Sequence, residues 1–142
     1  YDGAIPSGNS VSSYNFIRLS RILSRSDYEQ IAISITNAFS ENINKYGHGS
    51  TMLLQAIDYI KGPSFEVIVS GDKNKSLELI RQIQKHKNFN KIIIYNNTDN
   101  KIFKFLEFYK SGDNGSPLVY VCENYSCKLP TNDIEQINKL LE

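Results

Sequence analysis

The chain of 142 residues is 40% hydrophobic and 22% charged, so its length suits one modest domain or two very small ones. With 16 Lys and Arg against 15 Asp and Glu, and the basic residues scattered, it lacks the electrostatic footprint of a nucleic-acid or anionic-membrane binder. No apolar run approaches the roughly 18 to 20 residues of a membrane-spanning helix, and a soluble protein is expected. Two cysteines are too few for a disulfide-built scaffold. No secretory signal is visible ahead of Asp2, so a cytoplasmic location is expected, and the motif-like start at Tyr1 suggests an excised or proteolysed piece.

From Ser10 to about Leu23 the apolar residues Val11, Tyr14, Ile17, Leu19, Ile22 and Leu23 suit a helix buried on more than one side. Ser26-Asp27-Tyr28-Glu29 reads as a capping box that opens a second helix. Its apolar face runs through Tyr28, Ile31, Ala32, Ile35, Ala38, Phe39, Ile43 and Tyr46 to a stop at Gly47. A third helix from Thr51 to Ile60 ends at Gly62-Pro63, because proline neither donates nor fits the next turn.

After Pro63 the pattern changes. Phe65 to Gly71 and Lys91 to Tyr95 are short β-branched runs separated by a helical segment with Leu77, Ile80 and Ile83. Strand, helix and strand with short polar loops imply a parallel βαβ unit covered by helices. Lys101 to Lys110 places Ile102, Phe105, Leu106 and Tyr109 on one helical face, Ser111 to Pro117 is a loop, and Leu118 to Cys122 is a third strand. Asn132-Asp133-Ile134-Glu135 caps a last helix carrying Ile137, Leu140 and Leu141. The fold class is therefore α+β, or mixed: a helical hairpin segment over residues 1–62, then a small three-layer α/β domain over residues 63–142 with about three mainly parallel strands.

Asp2 to Ser10 sits directly before a helix, where unpaired amides favour an anion or a polar ligand atom. Asp2, Ser7 and Asn9 either line a pocket there or, more simply, cap the helix and shape the turn. Cys122 and Cys127 lack the two-residue spacing of a redox dithiol, which leaves an inert buried thiol beside a loop thiol, or a reversible local disulfide. His48 and His86, the only histidines, make no ligand pair with them, so no metal is expected, and nothing calls for a cofactor. Ser70-Gly71-Asp72 falls where open α/β sheets bind ligands but lacks a glycine fingerprint and reads as a turn. His86 reads as a solvated helix end, and Asp2 with Asp58 is the one acidic pairing a shared cleft would use.

Asp2 to Ser10 followed by Tyr14-Asn15-Phe16-Ile17-Arg18-Leu19, the Gly62-Pro63 break before a Val-Ile-Val strand, and Tyr120 to Cys127 resemble the C-terminal end of the spermatogenesis-associated protein 20 family. The resemblance covers nearly the whole chain. It implies a parent with a thioredoxin-like part and a six-hairpin α/α toroid similar to epimerases and glycosidases of carbohydrate metabolism. Tyr1 to Ile60 would be its last toroid hairpins, and Phe65 to Glu142 a closing α/β segment. A sugar-pocket role is implied for Asp2, Ser7 and Asn9, and a redox role for Cys122 and Cys127. The expected partners are the upstream toroid and thioredoxin-like segments and a small carbohydrate. Catalysis belongs to the parent rather than to this segment, which should self-associate through exposed apolar helix faces when isolated.

Overall fold

In the computed structural model, which describes residues 1–97 and 103–142, the chain falls into two units, Tyr1–Ser64 and Phe65–Glu142. The first unit is helical, with α1 (Gly8–Leu23), α2 (Ser26–Ala38), α3 (Ser40–Tyr46) and α4 (Thr51–Lys61). The apolar pattern of α1 suggested burial on more than one side, yet Val11 and Leu19 remain partly exposed. The buried stripe is Ser10, Ser13, Ile17, Ser20 and Arg21. Serines take little room, so neighbouring backbones come close, and the Ser13 hydroxyl donates to the Ala32 carbonyl of α2 at 3.2 Å.

Arg21 is buried, and its guanidinium meets the Glu29 carboxylate at 2.9 Å. That pairing takes the glutamate expected in the capping box. Helix α2 begins after Arg25 with no side-chain cap. A buried cation left without its counter-charge costs more than an uncapped, exposed helix start, so the ion pair wins. The long second helix also differs from expectation, because it breaks at Phe39 (φ −108°, ψ 9°) into α2 and α3. Hydroxyls of Ser34 and Thr36 draw on the carbonyls of Gln30 and Ile33, a competition that bends helices.

The second unit contains β1 (Phe65–Ser70), α5 (Lys73–Gln84), β2 (Lys91–Asn96), β3 (Leu118–Glu123), β4 (Ser126–Cys127) and α6 (Ile134–Leu140). The sheet order is β2-β1-β3-β4. Strands β1 and β2 are parallel, from Phe65 opposite Lys91 to Ser70 opposite Asn96, as the strand-helix-strand pattern implied. The mixed fold class is as expected, but the described residues form four strands rather than about three, and β3 runs antiparallel to both β1 and β4. An antiparallel return needs no helical crossover, and none is built between β2 and β3 among the described residues.

Strand β1 is central and buried along its whole length. One face, carrying Phe65, Val67 and Val69 with Val119 and Val121 of β3, packs against Leu79 and Ile83 of α5, Ile137 of α6 and Leu141 just past its end. The other face, with Ile68 and Cys122, is covered by Leu106 and neighbouring aromatic residues. Of the helix expected over Lys101 to Lys110, Lys101 and Ile102 lie outside the described residues, and Lys104–Phe108 forms a short 3-10 helix. The Asn96 amide reaches the carbonyls of Leu106 at 3.0 Å and Tyr109 at 2.9 Å, so the sheet edge anchors the end of this short helix, where the Leu106 carbonyl also accepts the Tyr109 N–H.

At the end of β1, Gly71 adopts φ 149°, and a Cβ there would stand 2.7 Å from the Pro117 Cα. Gly71→Ala should therefore lower stability by about 2 to 3 kcal/mol. Gly8→Ala, in open space at the first residue of α1, should change it by less than about 1 kcal/mol. Urea unfolding of both variants checks the contrast.

Candidate functional site

The N-terminal loop is held by a single carboxylate. Asp2 is buried, and its Oδ1 accepts the Ser7 N–H at 2.8 Å while Oδ2 accepts those of Met52 at 2.9 Å and Leu53 at 3.2 Å, in the first turn of α4. Its own N–H donates to the Gly49 carbonyl at 2.7 Å. Burial pushes the Asp2 pKa up, but the Ser7 amide, the Ser10 hydroxyl and the Leu53 and Met52 amides together hold it below the ordinary aspartate value. Asp2 thus stays ionised and is engaged with protein amides. Asp58, its proposed acidic companion, is exposed toward the other end of α4.

Beside this clamp lies a cavity of about 380 Å³. It is lined by the polar residues Ser7, Asn9, Ser10 and Asn42 and by the aromatic residues Tyr1, Phe39, Tyr46 and His48. Ser7 and Asn9 therefore line it as the sequence reading allowed, whereas Asp2 shapes the loop from beneath. Ser7 is also the cap of α1, its Oγ accepting the Ser10 N–H at 3.2 Å and pairing with the Ser10 hydroxyl at 2.8 Å. Phe39, Asn42 and Tyr46 come to the cavity because the chain bends at Phe39. Tyr46 had been assigned to a core face, yet it is 67% exposed and its ring stands edge-on to His48. A tyrosine and a histidine flanking Gly47 after a helical stretch were the visible signal for this wall.

In the second unit, Gly71 and Asp72 line another cavity with Lys73, Tyr95 and Ser111, at the carboxyl ends of the parallel strands. The Asp72 carboxylate already accepts the Asn74 and Lys75 amides, which spends the start of α5 on its own cap. Ser70 is fully buried and accepts from the Asn96 amide at 3.0 Å. His86 is half-buried just past α5, and its Nδ1 accepts the Asn88 N–H at 3.2 Å. Burial first, then Lys91 and Lys87, pushes its pKa down, so it acts as a neutral acceptor that shapes a turn. Among the described residues no group of His, Cys, Asp and Glu could hold a metal ion, and no helix is long and apolar enough to cross a membrane.

Cys122 and Cys127 are joined by a disulfide across β3 and β4. Between them Asn124 (φ 49°) and Tyr125 (φ 63°) make a two-residue turn with both φ values positive, closed by the Glu123–Ser126 pair. Cys122 opposite Cys127 is the next pair, and Lys128 donates to the Val121 carbonyl at the one beyond. The cysteines therefore occupy a position without cross-strand backbone hydrogen bonds, where strands approach most closely. Four intervening residues centred on Asn-Tyr were the sequence signal for this hairpin. Cys122 is buried, Cys127 is exposed, and the Tyr109 hydroxyl lies 3.4 Å from the Cys127 Sγ. Burial, then Glu66 and Tyr120, pushes the Tyr109 pKa up, so its hydroxyl keeps its proton.

No family model and no solved structure matches the chain. Curated proteins do. The chain is 26% identical to spermatogenesis-associated protein 20 of Homo sapiens, over 99% of its own length and 19% of the human protein. The rat protein of the same name is also 26% identical, over 99% of this chain and 18% of its own, and an uncharacterized protein of Caenorhabditis elegans is 25% identical over 98% and 20%. The chain spans about a fifth of the length of the curated relatives it matches. Nearly end to end it is similar to one segment of proteins named spermatogenesis-associated protein 20.

Proposed function

We propose that this chain is a structural segment of a larger, thioredoxin-domain-containing toroid protein, and that the cavity of its helical unit takes a carbohydrate-like ligand. The relatives' fivefold greater length supports the first part. So do the partly exposed apolar side chains Val11, Leu19, Ile31 and Leu54, which upstream hairpins of such a parent would cover. The observation that carries the ligand reading is that Tyr1, Phe39 and Tyr46 line one cavity together with Ser7, Asn9 and Asn42. A sugar ring offers an apolar C–H face, which packs on aromatic rings, and a rim of hydroxyls, which amides and hydroxyls bond. Asp2 then serves the ligand indirectly, by holding the loop that carries Ser7 and Asn9. A second reading rests on the hairpin disulfide. In the cytoplasmic setting we propose, such a bond exchanges rather than scaffolds, so this segment doubles as a redox-linked interaction module.

Titration of the isotopically labelled chain with glucose, mannose and N-acetylglucosamine, followed by NMR, tests the cavity. Shifts confined to the Asn9 and Asn42 amides and the Tyr46 ring are expected, and Tyr46→Ala should weaken binding about tenfold. Unchanged spectra at sugar concentrations of about 20 mM, where even millimolar affinity saturates, would overturn the ligand reading.

Asp2→Asn should cost about 2 kcal/mol of stability, because one of the accepting oxygens becomes a donor facing donors. The Asp2 carboxylate, with its folded pKa below the unfolded value, contributes fully above about pH 4 and loses its contribution as pH falls through the folded pKa. Thermal melts of the chain and of Asp2→Asn should accordingly differ at pH 6 and converge in acid.

A further inference from the structure

We propose that the Cys122–Cys127 hairpin is a thiol–disulfide exchange site for a dithiol, in which Cys127 forms the covalent bond to the partner, Cys122 is the resolving thiol, and Tyr109 is a positioning residue for Cys127. The assignment rests on the redox reading of this hairpin and adds direction to it.

Exposure separates the two sulfurs. Cys122 lies in the sheet against Ile68 and Leu106, with Glu66 as its cross-strand partner on β1, whereas Cys127 is on the short outer strand. An incoming thiolate therefore reaches the Cys127 Sγ. The new S–S bond forms there, the Cys122–Cys127 bond breaks, and Cys122 leaves with the electron pair and takes a proton from water. The partner's second thiolate then attacks the partner sulfur of the mixed disulfide, and Cys127 departs as a thiolate. The partner dithiol has become a disulfide, and the hairpin has gained two electrons and two protons once Cys127 is protonated. In the reverse direction the Cys127 thiolate is the nucleophile.

Both directions pass through a Cys127 thiolate, and the Tyr109 hydroxyl, 3.4 Å from the Cys127 Sγ, meets it. Tyr109 is fixed from three sides. Its ring stands edge-on to Tyr120 with centroids 5.0 Å apart, its carbonyl accepts the Asn96 amide at 2.9 Å, and the next residue, Lys110, exchanges two hydrogen bonds with the Tyr120 hydroxyl at 3.1 and 2.9 Å. The titratable groups facing Tyr109 are Glu66 and Tyr120, and both favour the protonated hydroxyl that can donate to sulfur. The turn holds the two cysteines opposite each other by backbone pairing, so the reduced hairpin keeps them poised to reclose.

The oxidised chain is incubated with reduced glutathione, quenched in acid, alkylated and mapped by peptide mass. Glutathione is expected on Cys127 at least tenfold over Cys122, and dithiothreitol should reduce the folded chain outright. Treated with oxidised glutathione, Cys122→Ser should accumulate a stable glutathione adduct on Cys127, releasing one reduced glutathione, and Cys127→Ser should resist one. Tyr109→Phe should raise the pH midpoint of Cys127 alkylation by about one unit, a change that loss of packing alone would not produce. Glutathione on Cys122, or a disulfide untouched by dithiothreitol in the folded chain, would overturn the exchange assignment, and an unmoved midpoint in Tyr109→Phe would overturn the role of Tyr109. A chain that never closes the disulfide under oxidised glutathione would remove the redox reading itself. None of these outcomes bears on sugar binding in the helical unit.

Discussion

A carboxylate taken out of water must find donors, and in the helical unit Asp2 finds them in backbone amides at both ends of the segment it ties together. The first turn of α4 offers free N–H groups and the positive end of a helix dipole, and the Ser7 amide at the entrance of α1 supplies another. One ionised group thereby satisfies several orphan donors and fixes the loop that precedes α1. The position of Ser7, the cap it gives α1, and the placement of Asn9 all follow from that clamp. So does the polar lining that Ser7 and Asn9 give the cavity, since a loose loop would carry them away from the aromatic side chains that share it.

In the second unit the corresponding constraint is the burial of β1 on both faces. Two helices cover one face, and the sequence supplies no long helix for the other. The chain covers it with a short 3-10 helix and aromatic side chains, whose backbone is pinned by Asn96 and Tyr120 in addition to its own turn hydrogen bonds. The way this cover is anchored is what delivers Tyr109 to the exposed sulfur of the hairpin. A packing requirement and a chemical arrangement thus share the same residues. The buried position of Cys122 has the same origin, because it belongs to the sheet face that the cover hides.

Several features were legible in the residues. Asp133 caps its helix as the Asn132 to Glu135 pattern indicated, the βα part of the pattern around β1 and β2 is parallel, and Gly62-Pro63 ends α4. Other signals misled because a local rule competed with a distant partner. Glu29 has the spacing of a capping box, but a buried arginine one helix away claims it. The apolar residues of α1 suggested its buried side, while close helix packing selected the serines. Tyr46 continued a helical face on paper, and the bend at Phe39 turned it toward solvent.

By itself the sequence determined most of the elements and their order, the helical then α/β character, and the resemblance that its end motifs carry, because these depend on local backbone preference and on periodicity along the chain. Tertiary structure alone decided the antiparallel return of β3, the bend that opens the cavity, the engagement of Asp2 with the start of α4, and the contact of Tyr109 with Cys127. Each of these joins residues distant in the chain or turns on competition for the same donors and acceptors. Such contacts are settled only when burial forces every polar group to find a partner in three dimensions.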